Sequence, residues 1–142
     1  MIKVAVTMPA TIGEAGEFLA DVRALEAAGA EMVGLEGDSL DQAILLAAVA
    51  AVTDRLRLRF AEAEPPELLQ KLGRGRVVSS LPAGETWVEV PIPADKSSWK
   101  ATLQEHEAAG ATGVIVRWDP RLIDLLRNPE PDDRGDLDMS VG

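Results

Sequence analysis

Two distant segments share one pattern, and this repeat constrains the fold more than any other feature of the sequence. The segment EAAGAEMVGLEGDSL begins at Glu26, and EAAGATGVIVRWDP begins at Glu107. Each combines the end of an amphipathic helix, a glycine that stops it, a short apolar strand and an aspartate ahead of a second helix. Two such units predict parallel strands with covering helices, and hence an α/β fold. Duplication and convergence on the same caps and glycine stops explain the repeat equally well.

The helix predicted at Leu40–Val52 is apolar over much of its circumference. Such a helix is buried on more than one side, so we expect it to pack against a partner subunit as well as its own sheet. A truncated sheet also leaves an open edge, which favours self-association. We therefore predict a homodimer to which Leu40–Val52 contributes.

One connection between predicted strands is unusually short. Only Pro-Ala-Gly-Glu-Thr separates Leu81 from Trp87, whereas a parallel crossover needs about a dozen residues or more. The spacing predicts that Val77–Leu81 and Thr86–Pro91 form a hairpin. Residues 1–127 are predicted to form a single α/β domain, and residues 128–142 an acidic, mobile tail rich in Pro, Asp and Gly.

The composition argues against several classes of partner and site. A formal charge of −10 disfavours nucleic acid and anionic membranes, because both repel an acidic surface. The chain has no cysteine and one histidine, His106, which argues against disulfides and a zinc site. No secretory signal or membrane-spanning stretch is recognisable, so we expect a cytoplasmic protein.

Five segments resemble, in order, parts of the bacterial luciferase-like monooxygenases. IKVAVTMP is similar to the first strand of that superfamily, and EAAGAEMVGLEGD to the end of its first helix and its second strand. SLDQAILLAAVAAVTDRLRLR resembles the second helix and third strand, and PPELLQKLGRGRVVSSLPAGETW the third helix and fourth strand. LQEHEAAGATGVIVRWDP resembles the last helix and strand.

The resemblance implies a TIM-type barrel that uses FMN or a deazaflavin, and a flavin- or deazaflavin-dependent oxidoreductase or monooxygenase. A full barrel rarely fits below roughly 200 residues. The expected fold is therefore a truncated barrel-like sheet of about six strands, mostly parallel with one hairpin, with helices outside. Gly75, Arg76 and Trp87 match the family and suggest structural roles. The alternative is a cofactor-free relic that acts as a dimeric binding or assembly module.

Ligands of parallel sheets gather at the carboxyl ends of the strands. The residues predicted on that face, as cofactor- or ligand-binding candidates, are Met8, Glu36, Asp38, Arg117, Trp118 and Asp119. A further option is a small-molecule binding protein that uses Glu36, Arg117 and Trp118.

Several candidates have a structural alternative. Asp38 and Asp119 are either helix caps or an acid–base pair, the latter only if their strands are neighbours. Glu36 either contacts a ligand or pairs with Arg117, its equivalent across the repeat. The residues Gly73–Arg76 and the Ser97–Ser98 pair suggest anion sites, although a turn and a helix cap explain them equally simply.

Overall fold

A computed structural model describes residues 2–9, 12–61, 64–79 and 81–127. These residues form an α/β fold with a six-stranded, all-parallel sheet and five helices. The strands are β1 (Lys3–Met8), β2 (Met32–Leu35), β3 (Arg57–Arg59), β4 (Val77–Val78), β5 (Trp87–Glu89) and β6 (Gly113–Arg117). The helices are α1 (Ala15–Ala28), α2 (Ser39–Val52), α3 (Glu67–Gly73), α4 (Lys96–Ala108) and α5 (Leu122–Arg127).

The sheet winds in one direction. Its order is β4-β3-β2-β1-β6-β5, which is the chain order read cyclically with a break between β4 and β5. Because βαβ connections share one hand, a sheet wound this way carries its helices on one face. Accordingly, buried residues from all five helices join a single core with Val4, Val33, Leu58 and Val114 from the outer face of the strands.

The opposite face of the sheet is concave. Arg57 on β3 lies over the ring of Trp87 on β5, with its Cζ 5.8 Å from the ring centroid. Three strands separate β3 from β5, a distance of about 19 Å in a flat sheet. Since side chains stand roughly perpendicular to a sheet, this contact requires strong curvature.

The predicted hairpin is wrong. Val77 and Val78 pair parallel with β3, whereas Trp87–Glu89 pairs parallel with β6, so the two segments are opposite edges of the sheet. Curvature removes the need for a long crossover. Leu81, in the connection, packs with Val78 and Trp87 against the small cluster on the concave face, so the chain returns there instead of crossing over a helix.

The predicted repeat keeps its geometry in the fold. β2 and β6 both run parallel to β1 and lie on either side of it. Gly29 and Gly110 follow helices in the left-handed region, with φ of 106° and 94°. One cap differs from expectation. The N-cap of α4 is Asp95, whose carboxylate accepts the Ser98 N–H at 2.8 Å, and it precedes the expected cap at Ser97 or Ser98 by two or three residues. The predicted tail, 128–142, lies outside the described residues.

Candidate functional site

The concave face has two levels along the strands. The lower level, towards the strand starts, carries an ion-pair chain. Lys3 Nζ lies 4.0 Å from Glu31 Oε2, and Arg57 Nε lies 3.3 Å from the same oxygen without hydrogen-bond alignment. Arg57 also contacts Glu85 at 3.4 Å, and the Trp87 indole N–H donates to Glu85 at 2.9 Å. The tryptophan hydrogen bond, followed by Arg57, holds the pKa of Glu85 below its usual range.

Trp87 occupies this level because β6 begins with glycine. A Cβ on Gly113 would lie 2.7 Å from the Lys3 carbonyl oxygen and 2.8 Å from Trp87 Cε3, closer than real Cβ atoms approach. The ring therefore packs directly on the backbone of β6. Together with Met32 and Ile115 it fills the lower concave face.

The upper level opens at the strand ends. Here we define the mouth as Thr7, Glu36, Arg59, Glu89 and Arg117, which come from five strands or their ends. A cavity of about 370 Å³ is lined by four of them, Arg59 excepted, and by apolar residues that include Pro91 and Ile115. This volume is near the lower end of the range of ligand pockets.

A two-point ion pair spans the mouth. Arg117 Nη1 lies 2.7 Å from Glu36 Oε2, and Arg117 Nη2 donates to Glu36 Oε1 at 3.0 Å. The Arg117 side chain is largely exposed and the Glu36 side chain partly so. The pair links the ends of β2 and β6 above Thr7 on β1. The prediction that these two residues interact is confirmed.

Arg59 enters the same level from β3. The site of a Cβ on Gly34 would lie 3.6 Å from Arg59 Cβ and 3.8 Å from its Cδ, so the arginine stem lies beside the bare backbone of β2. Its Nε is buried, and the guanidinium donates to no protein acceptor in the described part of the chain. Glu89, which alternates with Val88 and faces the concave side, also has no ion-pair or hydrogen-bond partner among the described side chains.

Two predicted candidates do not line the mouth. Met8 is 2% exposed and belongs to the core beneath the helices. It follows Thr7, and successive strand side chains face opposite sides of the sheet. Trp118 packs against that same core. Neither side chain is placed to bind a ligand on the concave face.

The two aspartates act separately. Asp38 caps α2 by accepting the Asp41 N–H at 2.8 Å. Asp119 accepts from the Arg121 backbone N–H at 2.9 Å and from its Nε at 3.0 Å, and the Arg121 side chain lowers the pKa of Asp119. Their strands are not neighbours, because β1 lies between β2 and β6. The condition for an acid–base pair is not met.

Arg59 and Glu89 of the mouth were not selected from the sequence, nor was Gln42 beneath the adjoining loops. Gln42 is 3% exposed, donates to the Gly37 carbonyl at 2.7 Å and accepts the Ala61 N–H at 3.0 Å, so it joins the loops after β2 and β3. The alternation of Arg57 and Arg59 with leucines was the available signal for a polar concave face. Glu89 was obscured by the wrong hairpin prediction.

A larger cavity of about 530 Å³ lies between α1, α4 and α5, at the strand-start end. Its lining includes Ile2, Trp99, Leu103 and Leu126. Ligands of parallel α/β sheets gather at the opposite end, so we place the candidate site at the mouth.

Comparison of the chain with protein-family models, with curated proteins and with solved structures gave no match. The luciferase-like resemblance therefore stays a prediction from the sequence. Within the described residues, no group of three or more His, Asp or Glu side chains is arranged to hold a metal ion. No helix in this part of the chain is both long and apolar enough to cross a bilayer.

The described residues do not fit the flavin that the resemblance implies. The start of α4, where the sequence analysis considered an anion site at Ser97–Ser98, is capped by the Asp95 carboxylate. Its hydrogen bonds with Ser98 keep the pKa of Asp95 low, so a phosphate there would meet a negative charge. The smaller anion sites of the sequence analysis are also internally satisfied: buried Arg76 binds carbonyl oxygens and the Thr53 hydroxyl.

Proposed function

We propose that this chain is a cofactor-free α/β module, derived from a barrel, that functions as a homodimer. One observation carries the proposal. The large hydrophobic residues exposed in the described part of the chain are Leu40, Ile44, Leu68 and Leu72, with exposed fractions of 68%, 59%, 68% and 44%. We call these four residues the α2–α3 patch.

The patch has the spacing of an interface. Leu40 and Ile44 are four residues apart on α2, as are Leu68 and Leu72 on α3, so each pair lies on one helix face. The two helices are packed together, which makes the four side chains parts of one surface. Concentrated apolar surface of this kind marks sites of protein association.

The charge pattern favours a second copy as the occupant. Residues 42–52 contain no charged side chain, so two identical α2 helices can approach without like charges at their centre. Asp41, Glu67 and Lys71 lie at the margin of the patch. A two-fold axis pairs the same surface of both copies, so the lysine of one copy can pair with an acidic residue of the other.

The test is the mass of the protein in solution. We expect sedimentation equilibrium and light scattering to give a dimer at micromolar concentration, and Ile44→Lys to give a monomer with an unchanged circular dichroism spectrum. Ala101→Lys is the matched control, because it adds the same charge at an exposed position on α4. A wild-type monomer, or a dimer that survives Ile44→Lys and Leu72→Lys together, would contradict the proposal.

The oxidoreductase function that the resemblance implies has less support from this site, because an aspartate occupies the expected phosphate position. Absorbance and fluorescence titration with FMN and with a deazaflavin separates the two functions. We expect no saturable binding of either. Saturable binding that survives competition with inorganic phosphate would favour the oxidoreductase instead.

A further inference from the structure

We propose that the mouth binds a small zwitterion of the α-amino acid class, with the ligand carboxylate on Arg59 and its ammonium group on Glu89. The inference is independent of self-association, because the α2–α3 patch lies on the helix-covered face and the mouth on the concave face. It differs from the sequence prediction, which placed ligand contacts at Glu36, Arg117 and Trp118.

The charge balance of the mouth selects the ligand class. Two arginines and two glutamates face this level, and Glu36 and Arg117 satisfy each other through two contacts. One cation and one anion, Arg59 and Glu89, remain without partners among the described residues. A simple anion would bind Arg59 but leave Glu89 unpaired, and a simple cation would do the reverse. A ligand with both charges satisfies both residues.

The curvature of the sheet sets Arg59 and Glu89 towards each other. One layer below, Arg57 and Trp87 of the same two strands are in contact across the concave face. Each mouth residue lies two positions further along its strand, and side chains two apart share a face. Arg59 and Glu89 therefore lie above the Arg57–Trp87 contact, yet no ion pair of 4.0 Å or less joins them. The separation leaves room for a ligand.

The Arg59 guanidinium has hydrogen-bond donors to offer a ligand. Its Nε is buried, and nothing in the described structure accepts its hydrogen bonds. Buried donors are nearly always satisfied, by protein groups, ordered water or a bound ion. A guanidinium binds a carboxylate through two parallel hydrogen bonds. Gly34 makes space for the arginine stem.

The remaining walls suit the rest of such a ligand. Thr7 lines the cavity together with Glu89, and its hydroxyl can donate or accept. Pro91 and Ile115 supply an apolar wall, which a short aliphatic side chain can cover. A cavity of about 370 Å³ accommodates a single amino acid rather than a peptide chain.

The experiment is calorimetric titration of the full chain with L-alanine, L-valine and L-glutamate. For L-valine the matched analogues are isovalerate, which lacks the ammonium group, and isobutylamine, which lacks the carboxylate. We expect at least one amino acid to bind, and each of its analogues to bind at least about tenfold more weakly, because each leaves one charged group unpaired. Arg59→Met and Glu89→Gln should abolish binding, whereas the exposed controls Arg74→Met and Glu105→Gln should not.

A stability measurement distinguishes loss of the ligand contact from damage to the fold. Arg59→Met removes an unsatisfied buried donor, so the free variant should be at least as resistant to urea as the wild type. Loss of binding with a lower urea midpoint would indicate a structural role for Arg59 and contradict the proposal. It would also be overturned if none of the three amino acids binds at about 10 mM, or if the analogues bind as well as the amino acid.

Discussion

At the scale of single residues, Gly113 decides how the concave face packs. An added Cβ would clash with the Lys3 carbonyl oxygen and with the Trp87 ring, and the backbone cannot yield because β6 is paired on both sides. We expect Gly113→Ala to lower the free energy of unfolding by about 1–3 kcal/mol, as overpacking does. Urea unfolding measures the loss, and a red shift of tryptophan emission would report displacement of Trp87.

Gly13→Ala is the control for this substitution. Nothing lies within 4 Å of the position of its Cβ, and its φ is not in the left-handed region. It should change stability little or increase it slightly by restricting the unfolded chain. If Gly113→Ala were as benign as Gly13→Ala, the packing of Trp87 on β6 would be wrong.

Glu26 makes stability depend on pH. Burial raises the pKa of this carboxyl, but the N–H groups of Arg55, Asp54 and Leu56 together outweigh burial and bring the pKa below its usual value. A lowered folded-state pKa stabilises the protein above the pKa of the unfolded chain, and this contribution disappears as the pH falls through the folded-state value. At neutral pH we expect Glu26→Gln to lower the free energy of unfolding by about 1–3 kcal/mol.

The direction of this pH dependence can be measured from urea midpoints at a series of pH values. The difference between wild type and Glu26→Gln should shrink as the pH falls from neutral through 4.5, the usual value for a glutamate. Glu17→Gln, at an exposed position of the same helix, should show a much smaller difference at every pH. If the difference in urea midpoint between wild type and Glu26→Gln did not change with pH, the charge of the Glu26 side chain would not be what holds the loop before β3.

At the scale of secondary-structure elements, Arg76 holds α2, α3 and the edge strand β4 together. It is 8% exposed and donates to the carbonyl oxygens of Ala50, Leu56 and Gly73 and to the Thr53 hydroxyl, at 2.8–3.2 Å. A lysine cannot reproduce this fork of donors.

We therefore expect Arg76→Lys to lower the free energy of unfolding by about 1–3 kcal/mol. Amide hydrogen exchange should quicken most at Leu58 and Phe60, whose N–H groups bond to the carbonyls of Arg76 and Val78. Arg74→Lys is the control at a neighbouring exposed position. Uniformly faster exchange over the whole sheet would argue that Arg76 supports the fold globally rather than this edge.

Helices and strands that combine a regular hydrophobic pattern with a cap or a glycine stop could be predicted from the sequence. The short apolar strand predicted between Gly29 and Asp38 is β2, and the helix predicted at Leu40–Val52 differs from α2 by one residue, because the Asp38 cap and the apolar run are local signals. Gly29 and Gly110 fixed where the two repeat helices stop.

The rest depends on curvature, which no local pattern encodes. The five residues between Leu81 and Trp87 suit a hairpin in a flat sheet. β4 ends at Val78, however, and the eight-residue connection 79–86 joins two parallel edges of a curved sheet. The same curvature sets Arg57 against Trp87 and opens the mouth between Arg59 and Glu89. Glu36 and Arg117 were predictable because the repeat relates them directly, whereas Met8 was misplaced because its orientation depends on strand register.

At the scale of the whole molecule, the attraction within individual ion pairs competes with the overall repulsion expected from a formal charge of −10. The ion pairs of the concave face involve partly or largely exposed side chains. Exposed pairs contribute little to stability. Repulsion among the excess carboxylates acts over the whole surface and opposes the compact state.

Salt should therefore stabilise this protein. The Debye length falls from about 30 Å at 0.01 M to about 8 Å at 0.15 M ionic strength, which removes long-range repulsion while leaving short contacts such as Glu36–Arg117, at 2.7 Å, less affected. We expect the midpoint of thermal unfolding to rise between these two concentrations of NaCl. The midpoint should be measured on the Ile44→Lys variant, because tighter association of the wild-type dimer in salt would also raise it. A falling midpoint would mean that the ion pairs of the concave face outweigh the net charge, and that the curvature of the sheet depends on them.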